Sequence, residues 1–64
     1  KLSGREYQIM CSIALGKSAE GIAEELSLSI NTIYTYRNRI LEKMSMKSNV
    51  ELTQYAIQNK LIEI

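Results

Sequence analysis

The stretch Ile22–Ile33, IAEELSLSINTI, decides the fold. Ile22, Ala23 and Leu26 recur at helical spacing, and Ser29 beyond them is a side chain suited to begin a second helix. Two helices joined by a turn of three or four residues cross steeply. Such a crossing needs a small residue at the contact, a turn residue tolerant of unusual φ, and apolar residues that lock the pair. Ala23 is the small residue and Ser27, four positions on, is the turn residue. Ile22, Leu26, Leu28, Ile33 and Tyr36 are the lock. Ser27 stands where glycine would be free of strain, so a modest φ penalty is expected there. The pattern is that of a helix-turn-helix, although any two short amphipathic helices could share the spacing.

Working outward, helices are expected near 4–15, 19–26, 30–45 and 49–59. Ser3 and Glu6 have the capping-box spacing, Ile9, Met10, Ile13 and Ala14 form an apolar stripe, and Gly16 closes the first run. Ser18 opens the second helix with Glu20 in its first turn, where the helix dipole favours a negative charge. Gly21 inside it costs about 1 kcal/mol relative to alanine and leaves room for a close helix contact. Ser29 caps the third, whose inner side carries Ile33, Ile40 and Met44, flanked by Tyr36 and Leu41. Ser48 begins the fourth, again with an acid three residues on at Glu51, and Leu52, Tyr55 and Ala56 face inward. Leu61 and Ile62 are expected to fold back onto the core.

Composition agrees with this all-α, four-helix bundle. Sixty-four residues hold one domain, without proline and with three glycines. A domain this small buries only roughly 60% of the surface of its unfolded chain, so its stability should be modest. No apolar run approaches the ~20 residues of a membrane span, and nothing resembles a signal peptide. One cysteine, Cys11, cannot form an internal disulfide and fits a reducing compartment; its plain role is that of a small apolar residue. The chain has no histidine, no Cys/His cluster and no phosphate-binding glycine loop, which argues against an enzyme, a metal site or a cofactor.

Net charge is only +1, but it is unevenly spread. Arg37, Arg39, Lys43 and Lys47 stand against Glu42 alone between Ser27 and Lys47, whereas the preceding helix carries Glu20, Glu24 and Glu25. A phosphate backbone would meet one side of such a polarised surface. On the third helix Asn31, Tyr34, Thr35, Asn38, Arg39 and Glu42 point away from the apolar side. Asn, Thr, Tyr and Arg can bond base edges or phosphates, and here they cluster toward the end that enters the groove in this motif. Duplex DNA is therefore the first candidate partner. The rival is a protein-interaction module without DNA contact, docking through Val50, Thr53, Gln54 and Ile57 on the fourth helix.

From Leu2 to Ile62 the chain resembles the C-terminal effector domain of LuxR/FixJ/NarL-type bacterial transcription factors. The matching runs are Leu2-Ser3-Gly4-Arg5-Glu6, Gly16-Lys17-Ser18, Ile22-Ala23-Glu24-Glu25-Leu26 and Ser29-Ile30-Asn31-Thr32-Ile33. Tyr36, Ile40, Lys43-Met44 and Val50-Glu51-Leu52 follow in order, and Tyr36 with Arg37 and Arg39 further resembles response regulators of the BvgA/UvrY kind. The resemblance implies that residues 1–64 are one DNA-binding domain excised from the C-terminus of a longer cytoplasmic regulator. In that regulator a receiver domain precedes it, and RNA polymerase is a possible further partner.

Base reading would fall on Tyr34, Thr35 and Asn38. Phosphate contacts would come from Ser29, Asn31, Thr32, Arg37, Arg39, Lys43, Lys47 and Ser48, and the homodimer contact from Val50, Thr53, Gln54 and Ile57. Several have a duller alternative: Thr32 as a cap, Arg37 with its stem packed over the core and its head solvated, Lys43 and Lys47 as solvated charges; Tyr36 beside them is read as packing. The chain departs from the family at five positions. Ile30 and Asn31 replace a common proline and lysine, Tyr36 a histidine, Asn49 an arginine, and Lys60 the glycine after the last helix.

Overall fold

The computed structural model describes residues 1–62 as four helices: α1 Gly4–Ala14, α2 Ala19–Leu26, α3 Ile30–Met44 and α4 Asn49–Gln58. The bundle is all-α, as the apolar spacing predicts. The helices end one residue short of expectation at 15, 45 and 59 because Leu15, Ser45 and Asn59 are their C-caps.

Serine side chains begin three of the four helices. Ser3 Oγ accepts from the Glu6 N–H at 3.2 Å and Glu6 Oε1 accepts from the Ser3 N–H at 2.9 Å, a complete capping box. Ser18 Oγ accepts from the Gly21 N–H at 3.0 Å and Ser29 Oγ from the Thr32 N–H at 3.1 Å. At α4 the expected Ser48 cap does not form. Glu51 instead takes the Lys47 N–H at 3.0 Å, one residue upstream, since the extended Ser48 (φ −153°) turns that amide toward the carboxylate. Gly21 also differs from expectation. A Cβ there would lie 3.2 Å from Ser18 Oγ, so the missing side chain clears the cap rather than another helix.

All four helices stop by the same device. The N–H groups of Lys17, Leu28, Met46 and Leu61 bond the carbonyls of Ser12, Ala23, Leu41 and Ala56, each five residues back, at 2.8–3.1 Å. The residue before each donor adopts a left-handed conformation: Gly16 (φ 90°), and Ser27, Ser45 and Lys60 (φ 57° each). These are Schellman closures, which satisfy carbonyls the helix would leave open. Leu28, Met46 and Leu61 then fall against the core, completing the hydrophobic half of the motif.

Ile9, Met10, Ile13, Ile22, Ala23, Ile33, Ile40, Leu41 and Leu52 form one buried cluster. α1 lies at the centre of it and touches all three other helices, while α2 packs on α3. Among the described residues no helix is long and apolar enough to cross a membrane.

The single buried charge among the described residues is part of this frame: Glu6, 3% exposed, accepts hydrogen bonds from the Lys43 ammonium at 2.9 and 3.1 Å across 37 residues of sequence. The Ser3 N–H first, and Lys43 next, hold the Glu6 carboxyl below its ordinary 4.5, against the opposing effect of burial. A carboxylate with a lowered folded pKa adds stability that is present above the unfolded pKa and lost as pH falls through the folded one. The stability gap between the native chain and Glu6→Gln should thus be largest at neutral pH and shrink as pH drops below about 4.5. Thermal unfolding from pH 7 to 2 checks this. A gap independent of pH would remove the charge from the account.

Candidate functional site

With its apolar side sealed in the core, α3 offers the opposite side to solvent. Asn31, Tyr34, Thr35, Asn38 and Arg39 are exposed, and Thr32, Tyr36 and Arg37 are half-buried at its margins. The left-handed Ser27 sets this helix against α2: the tight reversal it closes brings Leu28 onto the core and leaves Ser29 free to cap.

The polar groups on this face differ in how far they are already engaged. Ser29 Oγ and Thr32 Oγ1 lie 2.8 Å apart and form a hydroxyl pair at the start of α3, so Thr32 is tied to the cap. The first amides of a helix have no intrahelical acceptor, which makes this end favourable to an anion. Thr35 donates its hydroxyl to the Asn31 carbonyl at 3.1 Å, leaving a methyl group and acceptor lone pairs outward. Arg39 makes no hydrogen bond or ion pair among the described residues, so its guanidinium is free. Arg37 is not free. Its Nε donates to Asn49 Oδ1 at 2.8 Å and a terminal nitrogen lies 3.4 Å from Asn38 Oδ1.

The basic side chains are engaged to different degrees. Lys43 is already engaged: its ammonium pairs with the buried Glu6 on the α1 side, because a buried carboxylate needs a counter-charge, while its side chain stays 42% exposed. Lys47 stays exposed beside the half-buried Ser48, whose hydroxyl takes no part in capping α4.

A second surface lies on α4. Val50, Thr53, Gln54 and Ile57 follow the i, i+3, i+4, i+7 spacing of one helix face, with Val50 63% and Ile57 39% exposed. Thr53 is half-buried and donates its hydroxyl to the Asn49 carbonyl at 3.0 Å. Asn49 itself, reached by Arg37 from α3, was not marked by any motif as a site residue. Contacts across helices leave no periodic trace in the sequence, and only the crossing geometry brings these two together.

With this geometry in view, similarity to known proteins is informative. A family profile described as "Bacterial regulatory proteins, luxR family" matches residues 1–56. The chain is 40% identical over 62 residues to oxygen regulatory protein NreC of Staphylococcus epidermidis, a match that covers 97% of this chain and 28% of that protein. The proteins of the same name from Staphylococcus carnosus and Staphylococcus aureus are 39% and 40% identical over the same length, with 29% of each covered. The chain thus spans less than a third of these curated relatives.

Proposed function

Because the chain belongs to the luxR family of bacterial regulatory proteins, we propose that this DNA-binding transcription-regulator domain reads duplex DNA by seating α3 in the major groove. The observation that carries the proposal is the outer face of α3, where Asn31, Tyr34, Thr35, Asn38 and Arg39 stand exposed on a helix fixed from behind by Ile33 and Ile40. A helix held so firmly can present side chains to base edges at little further entropic cost.

Tyr34, Thr35 and Asn38 are the base readers. Ser29, Asn31, Thr32, Arg37, Arg39, Lys43, Lys47 and Ser48 are the phosphate contacts, which position the domain chiefly without selecting sequence. A homodimer on DNA forms through Val50, Thr53, Gln54 and Ile57; the exposure of Val50 and Ile57 on one helix face supports it. The greater length of the NreC proteins supports a longer response regulator of the two-component type, in which a receiver domain controls this one and RNA polymerase is a further partner. Such a protein works in the cytoplasm, where the DNA is.

The exposed Val50/Ile57 face also favours a second reading, a protein-interaction module without DNA contact. An amide-resolved NMR titration with duplex DNA, at low and then physiological salt, separates the two. Shifts at residues 27–39 and 47–49 that fade as salt rises are expected, because phosphate contacts release counterions. Concentration-dependent shifts at residues 50–57 that persist at the higher salt would mark self-association through α4. Shifts confined to 50–57, with none on α3 at low salt, would replace DNA reading with protein docking.

A further inference from the structure

The bridge from α3 to α4 bears on which base the domain selects. A guanidinium carries five N–H donors and no acceptor, so any amide bonded to it must present its oxygen. Asn49 does so at 2.8 Å from Arg37 Nε, and Asn38 does so at 3.4 Å from an Arg37 terminal nitrogen. The Asn49 contact is short and charge-assisted, and it anchors the guanidinium beside Asn38. With Oδ1 of Asn38 engaged by Arg37, the amide group left without a partner among the described residues is its NH₂. The unused N–H groups of Arg37 lie next to it. Donors therefore predominate, and the Asn38 oxygen, already drawn to Arg37, keeps only its second lone pair.

The two purines differ in what they ask of such a surface. Guanine shows two acceptors in the major groove, N7 and O6, whereas adenine shows one acceptor and one donor. An asparagine that pairs with adenine must lend its oxygen to the adenine amino group, and here that oxygen is drawn toward Arg37. We propose that Asn49 is a specificity-determining positioning residue: by holding Arg37 against Asn38 it biases the base position read by Asn38 toward guanine over adenine. This rests on the reading of α3 as the major-groove helix. Asn49 lies outside the outer face of α3 and acts through its neighbour rather than on the base.

The test is binding-site selection from a randomised duplex library with the native chain, Asn38→Ala, Asn49→Ala and Asn49→Asp, each checked for native helical content by circular dichroism. Asn38→Ala identifies the base position concerned, as the one whose preference it flattens. At that position the native chain should enrich guanine. Asn49→Ala should shift the guanine-to-adenine ratio toward adenine by about fivefold or more, the lower end of what one good bidentate contact discriminates. Asn49→Asp keeps an acceptor for Arg37 Nε and should keep the guanine preference, even though its charge weakens binding to every duplex. Enrichment of adenine by the native chain, or an unchanged ratio in Asn49→Ala, overturns the inference while leaving DNA reading intact. Failure of the native chain to enrich any sequence would overturn the DNA-reading proposal itself, and this one with it.

Discussion

Truncating Ile33 to alanine is expected to destabilise the domain by about 2–5 kcal/mol, the range for removing a large buried aliphatic side chain. Ile33 is 1% exposed, sits in the first turns of α3, and belongs to the cluster that joins α3 to α1 and α2. A chain of this size has a total stability of roughly 3–10 kcal/mol, so the loss is a large part of the whole. The thermal midpoint should fall by on the order of 10–30 °C. DNA binding should be lost with it and return on adding a stabilising osmolyte, since only the presentation of the helix is damaged. The neighbouring Tyr34, 47% exposed, gives the contrast. Tyr34→Ala should leave stability within about 0.5 kcal/mol and still weaken binding, with no recovery in osmolyte. Calorimetry beside a binding assay checks both, and an Ile33→Ala midpoint within about 4 °C of the native one would mean that the joint is not packed as described.

Three glycine substitutions should act in the opposite direction. Ser27, Ser45 and Lys60 each hold φ 57°, a conformation that costs a side-chain-bearing residue roughly 1–2 kcal/mol. Glycine removes that cost and returns part of it as extra freedom of the unfolded chain, about 0.4–1 kcal/mol. None of the three side chains makes a hydrogen bond among the described residues that the change would sacrifice. The helix ends are well separated, so the gains should nearly add, to about 1.5–3 kcal/mol for the triple variant. Gly16→Ala is the control: a Cβ there meets nothing within 4 Å, yet φ is +90°, so any loss is purely conformational. Scanning calorimetry should show a midpoint raised by on the order of 10 °C for the triple variant and lowered for the control. A triple variant no more stable than the native chain would show that these left-handed residues are not strained.

The same residues show what sequence can and cannot disclose. Ser3, Ser18 and Ser29 declare helix starts because their partners lie three residues on, and Ser27 declares a turn because it follows one apolar stripe and precedes another. Signals confined to a few neighbours are visible in a string of letters. Glu6 was visible as a cap, but its bond to Lys43 was not, since that partner is chosen by the crossing of α1 and α3. For the same reason the sequence shows Lys43 as a basic side chain of α3 without showing its pairing with Glu6. Arg37 and Asn49 are likewise joined only by where α4 begins relative to α3. At α4 even a local signal misled: the Ser48/Glu51 spacing suits a capping box, and an extended Ser48 moved the bond to Lys47.

The repeated helix closure has a kinetic consequence. Each helix carries its own stop signal, a bond from the residue five positions on, and three carry their own side-chain start. The limits of each helix therefore wait little on distant parts of the chain, although the packing of α1 on α4 does, and helical domains rich in local contacts fold in microseconds to milliseconds. Ribosomes add only about 5–20 residues per second. Each helix can thus sample its final limits while the next is still being made, and the bundle closes as soon as its last apolar residues emerge.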